Sequence, residues 1–354
     1  MTSSSRTSSD ARAGAMLGLS AAALFGLSTP LAKDLLGAVS PQMLAGLMYL
    51  GAGLALGAYG PLRRTSPEAR LRRSDAGTLS TIVLFGGVLG PVLLLVGLTR
   101  VTAIVGSLLL NLEAPLTMAL AVFVFREHLG RRALVAAGLI VLGATMLEAG
   151  PGKIAGELTG GLCVAGACLC WAIDNNLTQR LTLRDPVAIV RAKTLSAGAF
   201  NTGLALLLGQ KLPSARIAAL ALSVGVASYG VSVVLDTYAL RLVGAAREAA
   251  YFATAPFFGA GASALLLGER PTRADLAAVA LLGLGVALML RDRHRHLHRH
   301  ETLEHEHVHV HDEHHQHEHG PGIPVTNPHS HLHTHEPLVH EHPHVSDVHH
   351  RHRH

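Results

Sequence analysis

The sequence has few charged residues, few aromatic residues and few cysteines, and each shortage excludes a class of protein. Charged residues make up 15% of the 354 positions against 49% for hydrophobic residues, which excludes an ordinary soluble enzyme. Aromatic residues amount to 4%, with a single tryptophan, so no stacking surface for nucleic-acid bases is expected. The three cysteines lie in one apolar run, which excludes a disulfide framework. Neither a phosphate-binding loop nor a nucleophile elbow occurs, so neither an enzyme nor an ATP-driven pump is indicated.

Long apolar runs dominate the chain up to residue 290. A bilayer core of ~30 Å is crossed by about 20 mostly apolar helical residues, and ten such stretches occur. Backbone groups in lipid must be hydrogen-bonded within their own segment, so we expect these stretches to be helices. The sequence therefore predicts an all-α integral membrane protein with ten transmembrane helices, at 14–33, 41–60, 77–98, 102–125, 133–149, 159–179, 186–209, 215–240, 245–268 and 273–290.

The distribution of basic residues predicts the orientation. With residues 1–13 as a cytoplasmic N-terminal segment, the inner side carries 13 Lys or Arg residues and the outer loops carry seven. Such an excess is typical of cytoplasmic loops. Ten crossings return the C-terminus to the same side, so we expect a multi-pass protein of the cytoplasmic (inner) membrane. The sequence does not indicate an oligomeric state.

The two halves of the apolar region resemble each other. A shift of 141 residues superimposes Pro115 on Pro256, and a shift of 142 superimposes Glu127 on Glu269. Five spans per half is an odd number, so the halves are expected to lie in opposite orientations in the membrane. Inverted repeats are typical of secondary transporters, whose substrate site lies near the midplane between the halves. A duplication without a transport role is the alternative.

A proline in the fourth span of each half, followed 12 or 13 residues later by a glutamate, is the most specific motif. The openings of the halves, AAALFGLSTPLAK and LCWAIDNNLTQRL, form a second matching pair. These residues resemble the ten-helix exporters of the drug/metabolite transporter superfamily, which contain two EamA-type repeats. The resemblance implies a secondary exporter of metabolites, amino acids or drugs. It divides the chain into two inverted five-helix repeats, 14–149 and 159–290.

Polar side chains within the predicted spans are the candidate binding groups, because an ionisable group in lipid costs several kcal/mol unless it is paired or hydrated. Cys163, Cys170 and Asp174 share one helical stripe in the sixth span, and Asn175 follows them. Two sulfurs and a carboxylate suit a borderline-soft divalent ion such as Zn²⁺, Co²⁺ or Ni²⁺. The alternative is that the cysteines pack as small apolar residues and Asp174 pairs with a cation.

A second set of charges falls in the cytoplasmic half of the predicted spans. The three acids are expected to receive the transported ion in a hydrated vestibule. The alternative is that the three acids and three bases neutralise one another in a buried network. These residues are Asp174, Asp236, Glu248, Arg191, Lys193 and Arg247.

Glu113 lies at the centre of the fourth span, beside Asn111 and two residues before Pro115. Proline removes a backbone donor and disfavours helix at the preceding residue, so freed carbonyls and the carboxylate would form a cation or proton site. Protons would then be the coupling ion of an antiporter. The alternative is a neutral Glu113 hydrogen-bonded to a neighbouring helix. Glu127 and Glu269, at span ends, are expected to be structural.

Residues 291–354 differ from the rest of the chain. They contain 23 of the 24 histidines, many at alternate positions, and lack the apolar content needed to fold alone, so a disordered cytoplasmic tail is predicted. Imidazole is the commonest side-chain ligand of transition metals, and the interspersed acids neutralise bound charge. The tail is therefore expected to bind Ni²⁺, Co²⁺ or Zn²⁺, although its titration near neutral pH also suits a pH sensor. The candidate ligands are His294, His296, His298, His300, His305, His307, His309, His311, His314, His315, His317, His319, His329, His331, His333 and His335.

The function predicted from these features is secondary-active export of divalent transition metal ions, with the tail raising the local metal concentration at the inner mouth. An exporter of organic solutes whose tail buffers or senses metal is one alternative. A membrane-anchored metal store or sensor without transport is another. The expected partners are the lipid bilayer and the transported ion or solute. No required cofactor and no nucleic acid are expected.

Overall fold

The computed structural model of the protein describes residues 8–60, 70–125, 130–148, 155–181, 184–243, 245–290, 294–299, 303–309, 329–335 and 339–344. Glu127 and six of the candidate metal ligands lie outside the described residues; those ligands are His300, His311, His314, His315, His317 and His319.

Helices make up the described part of the chain up to residue 290. The first half contains α1 (Ser8–Gly26), α2 (Ser28–Leu35), α3 (Pro41–Tyr59), α4 (Ala76–Ile82), α5 (Gly90–Leu98), α6 (Ala103–Leu109), α7 (Glu113–Phe125) and α8 (Arg131–Glu148). The second half contains α9 (Ala155–Thr178), α10 (Pro186–Leu207), α11 (Ala215–Gly225), α12 (Ser232–Val243), α13 (Ala245–Phe252), α14 (Ala255–Leu266) and α15 (Arg273–Leu290). Short 3₁₀ turns lie at Arg73–Asp75, Leu110–Leu112 and Gln179–Leu181.

All ten predicted spans are helical, and the all-α membrane fold is confirmed. Within the described residues, eight helical runs are long and apolar enough to cross a membrane. The other two predicted spans are α8 and α10, which are more polar. Helix α8 carries charged residues at both ends, from Arg131 to Glu148, and α10 carries Arg191 and Lys193.

The second span begins in the same way in each half. The Ser40 side chain accepts a hydrogen bond from the Met43 N–H at 3.4 Å, and the Asp185 side chain accepts one from the Val187 N–H at 3.0 Å. Both capping residues are followed by proline at the first helical position, where a missing N–H leaves no bond unmade. The chain thus marks the start of α3 and of α10 with the same chemistry.

Equivalent helices of the two halves pack against each other. Helix α3 packs on α10 and α8 on α15, while α1 packs on α12 as α9 packs on α5. Gly143 of α8 lies against Leu282 of α15, and Gly285 of α15 lies against Ile140 of α8. Because residue numbers rise in one helix as they fall in its partner, equivalent helices run in opposite directions. The halves are therefore inverted repeats.

The third span of each half contains a π-helical segment. The first π segment is Val83–Leu89, between α4 and α5, and the second is Val226–Val231, between α11 and α12. Such segments are rare and occur frequently at functional sites, because they interrupt the regular hydrogen-bond ladder. The sequence pattern of apolar residues gave no indication of either segment.

Two glycines let the halves approach each other closely around α3. Gly46 of α3 lies against the backbone of Thr202 in α10, and Gly225 of α11 lies against the backbone of Met48 in α3. A Cβ atom at either glycine would overlap the facing residue. Small residues at helix crossings allow this backbone contact. Such close packing matters in membranes, because lipid tails are themselves apolar and no hydrophobic effect drives helices together.

Four short segments of the tail are extended and paired. β1 (His294–Arg299) pairs antiparallel with β4 (Val339–His344), and β2 (Leu303–His309) pairs antiparallel with β3 (His329–His335). Residues that alternate in chemistry with a period of two match the two faces of an extended strand, and this pattern favours β pairing.

Candidate transport site

A buried ion pair joins α9 to α10. Lys193 Nζ lies 2.8 Å from Asp174 Oδ2, and the Thr178 hydroxyl donates to Asp174 Oδ1 at 3.0 Å. Asp174 is only 3% exposed. A buried carboxylate is costly unless it is paired and hydrogen-bonded, so these two partners account for its presence within a span. This geometry is the one expected if Asp174 pairs with a cationic side chain, the alternative to metal binding given above.

The first π segment completes the surroundings of the ion pair. The Gly86 carbonyl accepts hydrogen bonds from the Tyr49 hydroxyl at 2.9 Å and from Trp171 Nε1 at 3.1 Å. A Cβ atom at Gly86 would overlap the Asp174 carboxylate. Glycine is therefore needed here for close approach, and the acid lies directly against the backbone of the third span.

A second polar contact links the same spans. Gln42 Nε2 donates to Asn201 Oδ1 at 2.8 Å, and Asn201 Nδ2 donates to the Gly87 carbonyl at 3.1 Å. Asn201 has no exposed surface. Sequence reasoning missed both amides, although an Asn and a Gln inside apolar spans are detectable signals. The acceptor role of the π-segment carbonyls had no such signal.

Glu113 lies where the fourth span is interrupted. The 3₁₀ turn Leu110–Leu112 ends directly before it, at the level where Pro115 cannot bond back to the carbonyl of Asn111. Asn175 Nδ2 donates to Glu113 Oε1 at 2.7 Å, whereas Asn111 Nδ2 donates to the Leu108 carbonyl at 2.9 Å. The structure thus brings Glu113 together with Asn175 of α9, while the Asn111 amide bonds to its own helix.

Asp236 lies in α12 and Glu248 in α13, two helices that pack against each other. Asp236 Oδ1 is buried and has no hydrogen-bond partner within the described part of the chain. The three acids predicted to receive an ion together are therefore divided between two places, because Asp174 is engaged by Lys193. Arg191 lies elsewhere, beside Gly60.

The cysteines do not gather with other metal ligands. All three thiols are free; Cys168 and Cys170 are buried and Cys163 is half-buried. Cys168 Sγ lies 3.6 Å from the Leu109 carbonyl, which is a weak contact of a packed thiol. Among the described residues, no group of three or more His, Cys, Asp or Glu residues is placed to hold a metal ion.

Two charged side chains close the ends of helices on the predicted outer side. The Glu269 carboxylate accepts hydrogen bonds from the N–H groups of Ala103 and Ile104, at 2.7 and 2.8 Å, and so caps α6. Lys33 Nζ donates to the carbonyls of Leu98 and Val101, at 2.5 and 2.8 Å, beyond the end of α5. Both placements match the charge of the helix end that they meet.

A small cavity lies between α2, α3, α5 and the second π segment. The Tyr49 and Tyr229 rings meet in it with centroids 5.2 Å apart, and Phe25 lies 5.6 Å from Tyr229 behind them. The cavity is the counterpart, in the other half, of the ion-pair site. The ion pair lies among the first π segment, α9 and α10, and the cavity lies among their equivalents, the second π segment, α2 and α3. The lining residues are Ser28, Thr29, Ala32, Ala45, Met48, Tyr49, Pro91, Leu94, Leu95 and Tyr229.

The fold and this site define a class of protein. Inverted repeats of five membrane helices, with interrupted helices and a cavity between the halves, are the architecture of secondary transporters. The protein is a multi-pass membrane transporter.

Comparison with known proteins identifies the family. The model of the EamA-like transporter family matches residues 12–148 and again residues 158–291. An uncharacterized transporter of Methanothermobacter thermautotrophicus is 30% identical over 269 residues, which cover 71% of this chain and 78% of the relative. One solved crystal structure superimposes with a TM-score of 0.58 at 21% identity, over 78% of this chain and 96% of that one, which shows a shared fold. The chain belongs to the EamA-like transporter family.

Proposed function

We propose that the protein is a secondary-active exporter of a small organic solute across the cytoplasmic membrane, and that its histidine-rich tail binds divalent transition metal ions. The observation that supports the solute is the cavity between the halves. Its lining offers the hydroxyls of Ser28 and Thr29 and two tyrosine rings among aliphatic side chains. A concave, mostly apolar surface with a few placed polar groups suits an organic molecule.

The chemistry of the lining argues against a bare metal ion in this cavity. None of the lining residues is Asp, Glu, His or Cys, the side chains that transition metals prefer. Asp174, the acid predicted to receive an ion in the sixth span, is already held by Lys193 and Thr178. An organic solute needs none of these acids to be released before it binds.

Tyr49 connects the cavity to the ion pair. Its ring lines the cavity, while its hydroxyl donates to the Gly86 carbonyl beside Asp174. A solute that moves the Tyr49 ring therefore changes the hydrogen bonding of the first π segment. We propose that this contact passes the occupancy of the cavity to Asp174 and Lys193, and that Glu113 exchanges protons against the solute.

Metal export is a second candidate, which the histidine content of the tail favours. A tethered tail raises the metal concentration at the inner mouth, and Asp174, Asp236 and Glu248 would then receive the ion. The two candidates differ in what Asp174→Asn and truncation after Arg293 do to cellular Ni²⁺, Co²⁺ and Zn²⁺. Metal export requires that the full chain lowers accumulation and that Asp174→Asn abolishes the effect. If only truncation changes retained metal, the tail acts as a buffer.

The solute is found by profiling metabolites in the medium of expressing cells. Cells carrying the wild-type chain are compared with cells carrying Ser28→Phe, which fills the cavity, and with cells carrying Leu265→Phe. Leu265 is 85% exposed on the body, so the added ring there leaves the cavity open. We expect a solute that accumulates outside for wild type and Leu265→Phe but not for Ser28→Phe, at equal membrane levels. Equal export by all three chains would refute the assignment of the cavity.

A further inference from the structure

Lys33 lies at one end of the cavity. Thr29 of α2 lines the cavity, and Lys33 follows it by one helical turn on the same face of the helix. Leu94 of α5 also lines the cavity, and Leu98 follows it by one turn. The Lys33 ammonium donates a hydrogen bond to the Leu98 carbonyl. This bond therefore joins two helices of the cavity wall just beyond the cavity, at its predicted outer end.

The Lys33 ammonium pairs backbone groups that the end of α5 leaves without a helical partner. Helix α5 ends at Leu98, and the last carbonyls of a helix accept no hydrogen bond within it. Lys33 Nζ donates to the carbonyls of Leu98 and Val101, at 2.5 and 2.8 Å. Both of these residues are buried. A buried carbonyl without a partner costs free energy, so Lys33 stabilises the arrangement in which this end of the cavity is closed.

Glu269 of the second half holds the other side of the same connection. Residues 99–102 join α5 to α6, and the Glu269 carboxylate accepts hydrogen bonds from the first N–H groups of α6, those of Ala103 and Ile104. Lys33 belongs to the first half. The connection is thus held by one charged side chain from each half. If the second half moves away from α6, the Glu269 bonds break and Lys33 alone holds the connection.

We propose that Lys33 is a latch at the predicted outer end of the cavity. While the cavity is closed, the ammonium ties α2 to the end of α5. When the solute leaves, the ammonium and both carbonyls separate and become hydrated. Water then replaces the lost hydrogen bonds, so the net change in free energy is modest and the latch can open again and again. The inference rests on the proposed function, because it takes the cavity to be the place of the solute.

Two substitutions of Lys33 separate the hydrogen bonds from the bulk of the side chain. Lys33→Met keeps most of the aliphatic stem and removes all three N–H donors. Lys33→Arg keeps the charge and several donors, so it is expected to restore most of the closure. Lys211→Met is the matched control, because Lys211 is exposed and lies at the same predicted end of the bundle.

The test measures how readily a reagent reaches the cavity from outside the cell. In a chain with its three native cysteines replaced by alanine, Ser28→Cys introduces one thiol in the cavity wall, where Ser28 is 3% exposed. Intact cells are treated with a membrane-impermeant methanethiosulfonate. We expect Lys33→Met to raise the rate of modification about tenfold, since hydrogen bonds from a charged donor are lost. Lys33→Arg should stay near the rate of the unaltered latch, and Lys211→Met should equal it.

A second thiol distinguishes an open latch from a loosened fold. Ser232 has no exposed surface and donates to the Ala21 carbonyl at 2.9 Å, in the half of the bundle away from Lys33. If Lys33→Met raises the modification of Ser232→Cys as much as that of Ser28→Cys, the variant loosens the whole fold and the latch is overturned. An unchanged rate at Ser28→Cys would overturn it as well.

The failure of the latch and the failure of the proposed function have different signatures. The labelling needs no solute, whereas the export assay with Ser28→Phe needs no latch. If Ser28→Phe exports normally and Lys33→Met still raises labelling, the latch stands and only the assignment of the solute to the cavity is wrong. The side of opening is read from Lys211→Cys in the same cells. Labelling that rises only from the side opposite to residue 211 would overturn the latch.

Discussion

Lys193 and Asp174 form an ion pair at 2.8 Å directly beside Gly86 of the first π segment. The pair connects the second half of the protein, through α9 and α10, with the third span of the first half. Its position makes the pair sensitive to any movement between the halves.

Asp174→Asn leaves Lys193 without its carboxylate and lowers stability. Removing one partner of a buried ion pair typically costs about 3–5 kcal/mol, because the remaining charge is uncompensated. We therefore expect a large drop in the thermal unfolding temperature of the purified protein in detergent. The double variant Asp174→Asn with Lys193→Met removes both charges and recovers most of this loss. A double variant as unstable as Asp174→Asn would show that the pairing is not the source of the effect.

Transport by the same variants separates a structural role from a coupling role. If the pair only stabilises the fold, the double variant exports the solute found by metabolite profiling at the wild-type rate. If Asp174 takes part in coupling, the double variant is stable but does not transport. We expect the second result.

Gly86→Ala is expected to destabilise the protein although it adds a single methyl group. The new Cβ atom overlaps the Asp174 carboxylate and displaces it from Lys193, and such overpacking costs about 1–3 kcal/mol. Gly57→Ala is the matched control, since Gly57 lies in α3 with open space where a Cβ atom would be. There alanine should be neutral or stabilise the helix by about 0.5–1 kcal/mol. Thermal unfolding of both variants in detergent gives the comparison, and equal stability would contradict the contact at Gly86.

Glu269→Gln weakens the cap of α6. The carboxylate accepts two charge-assisted hydrogen bonds, from Ala103 and Ile104, and the neutral amide can accept them only with its single oxygen. A loss of about 1–3 kcal/mol in the free energy of unfolding follows. Arg270→Gln, at the exposed neighbouring position, is the control and should change little. A greater loss for Arg270→Gln than for Glu269→Gln would contradict the capping role.

Cysteine labelling tests the proposed orientation. In a chain with its three native cysteines replaced by alanine, Lys211→Cys and Ser74→Cys each introduce one exposed thiol. Residue 211 lies in a predicted outer loop and residue 74 on the predicted inner side. A membrane-impermeant maleimide added to intact cells should label Lys211→Cys and leave Ser74→Cys unmodified until the membrane is opened. The reverse pattern would place both termini outside the cytoplasm.

The fold could be predicted from the sequence because its signals repeat along many residues. Apolar runs of membrane length, the odd number of spans per half and the doubled Pro and Glu motif all give the same answer, so no single residue decides it. The predicted spans differ from the observed helices mostly in where they begin and end. Helix α1, for example, begins at Ser8, whereas the first predicted span begins at residue 14.

The site was harder to predict because its contacts depend on which residues of distant spans meet. Asp174 was recognised from its charge, but its partner Lys193 was one of three candidate bases. Asn111 was placed with Glu113 by proximity in sequence, whereas the structure pairs Glu113 with Asn175. The Gly86 carbonyl accepts hydrogen bonds from side chains because the backbone is π-helical there. No side chain in the sequence indicates a π-helical backbone.

The glycine contacts around α3 have a mechanical consequence. Gly46 and Gly225 bring the halves together backbone to backbone, so no large side chains interlock across these crossings. Helices that meet through glycines can slide past one another with few changes of side-chain rotamer. Lipid tails then replace the lost contacts at little cost in free energy. The interface therefore offers little resistance to sliding at these crossings, and contacts across it at helix ends, such as the bonds of Glu269 to Ala103 and Ile104, resist movement. A stronger or weaker contact of this kind would then change how long the halves stay together, without altering how they pack.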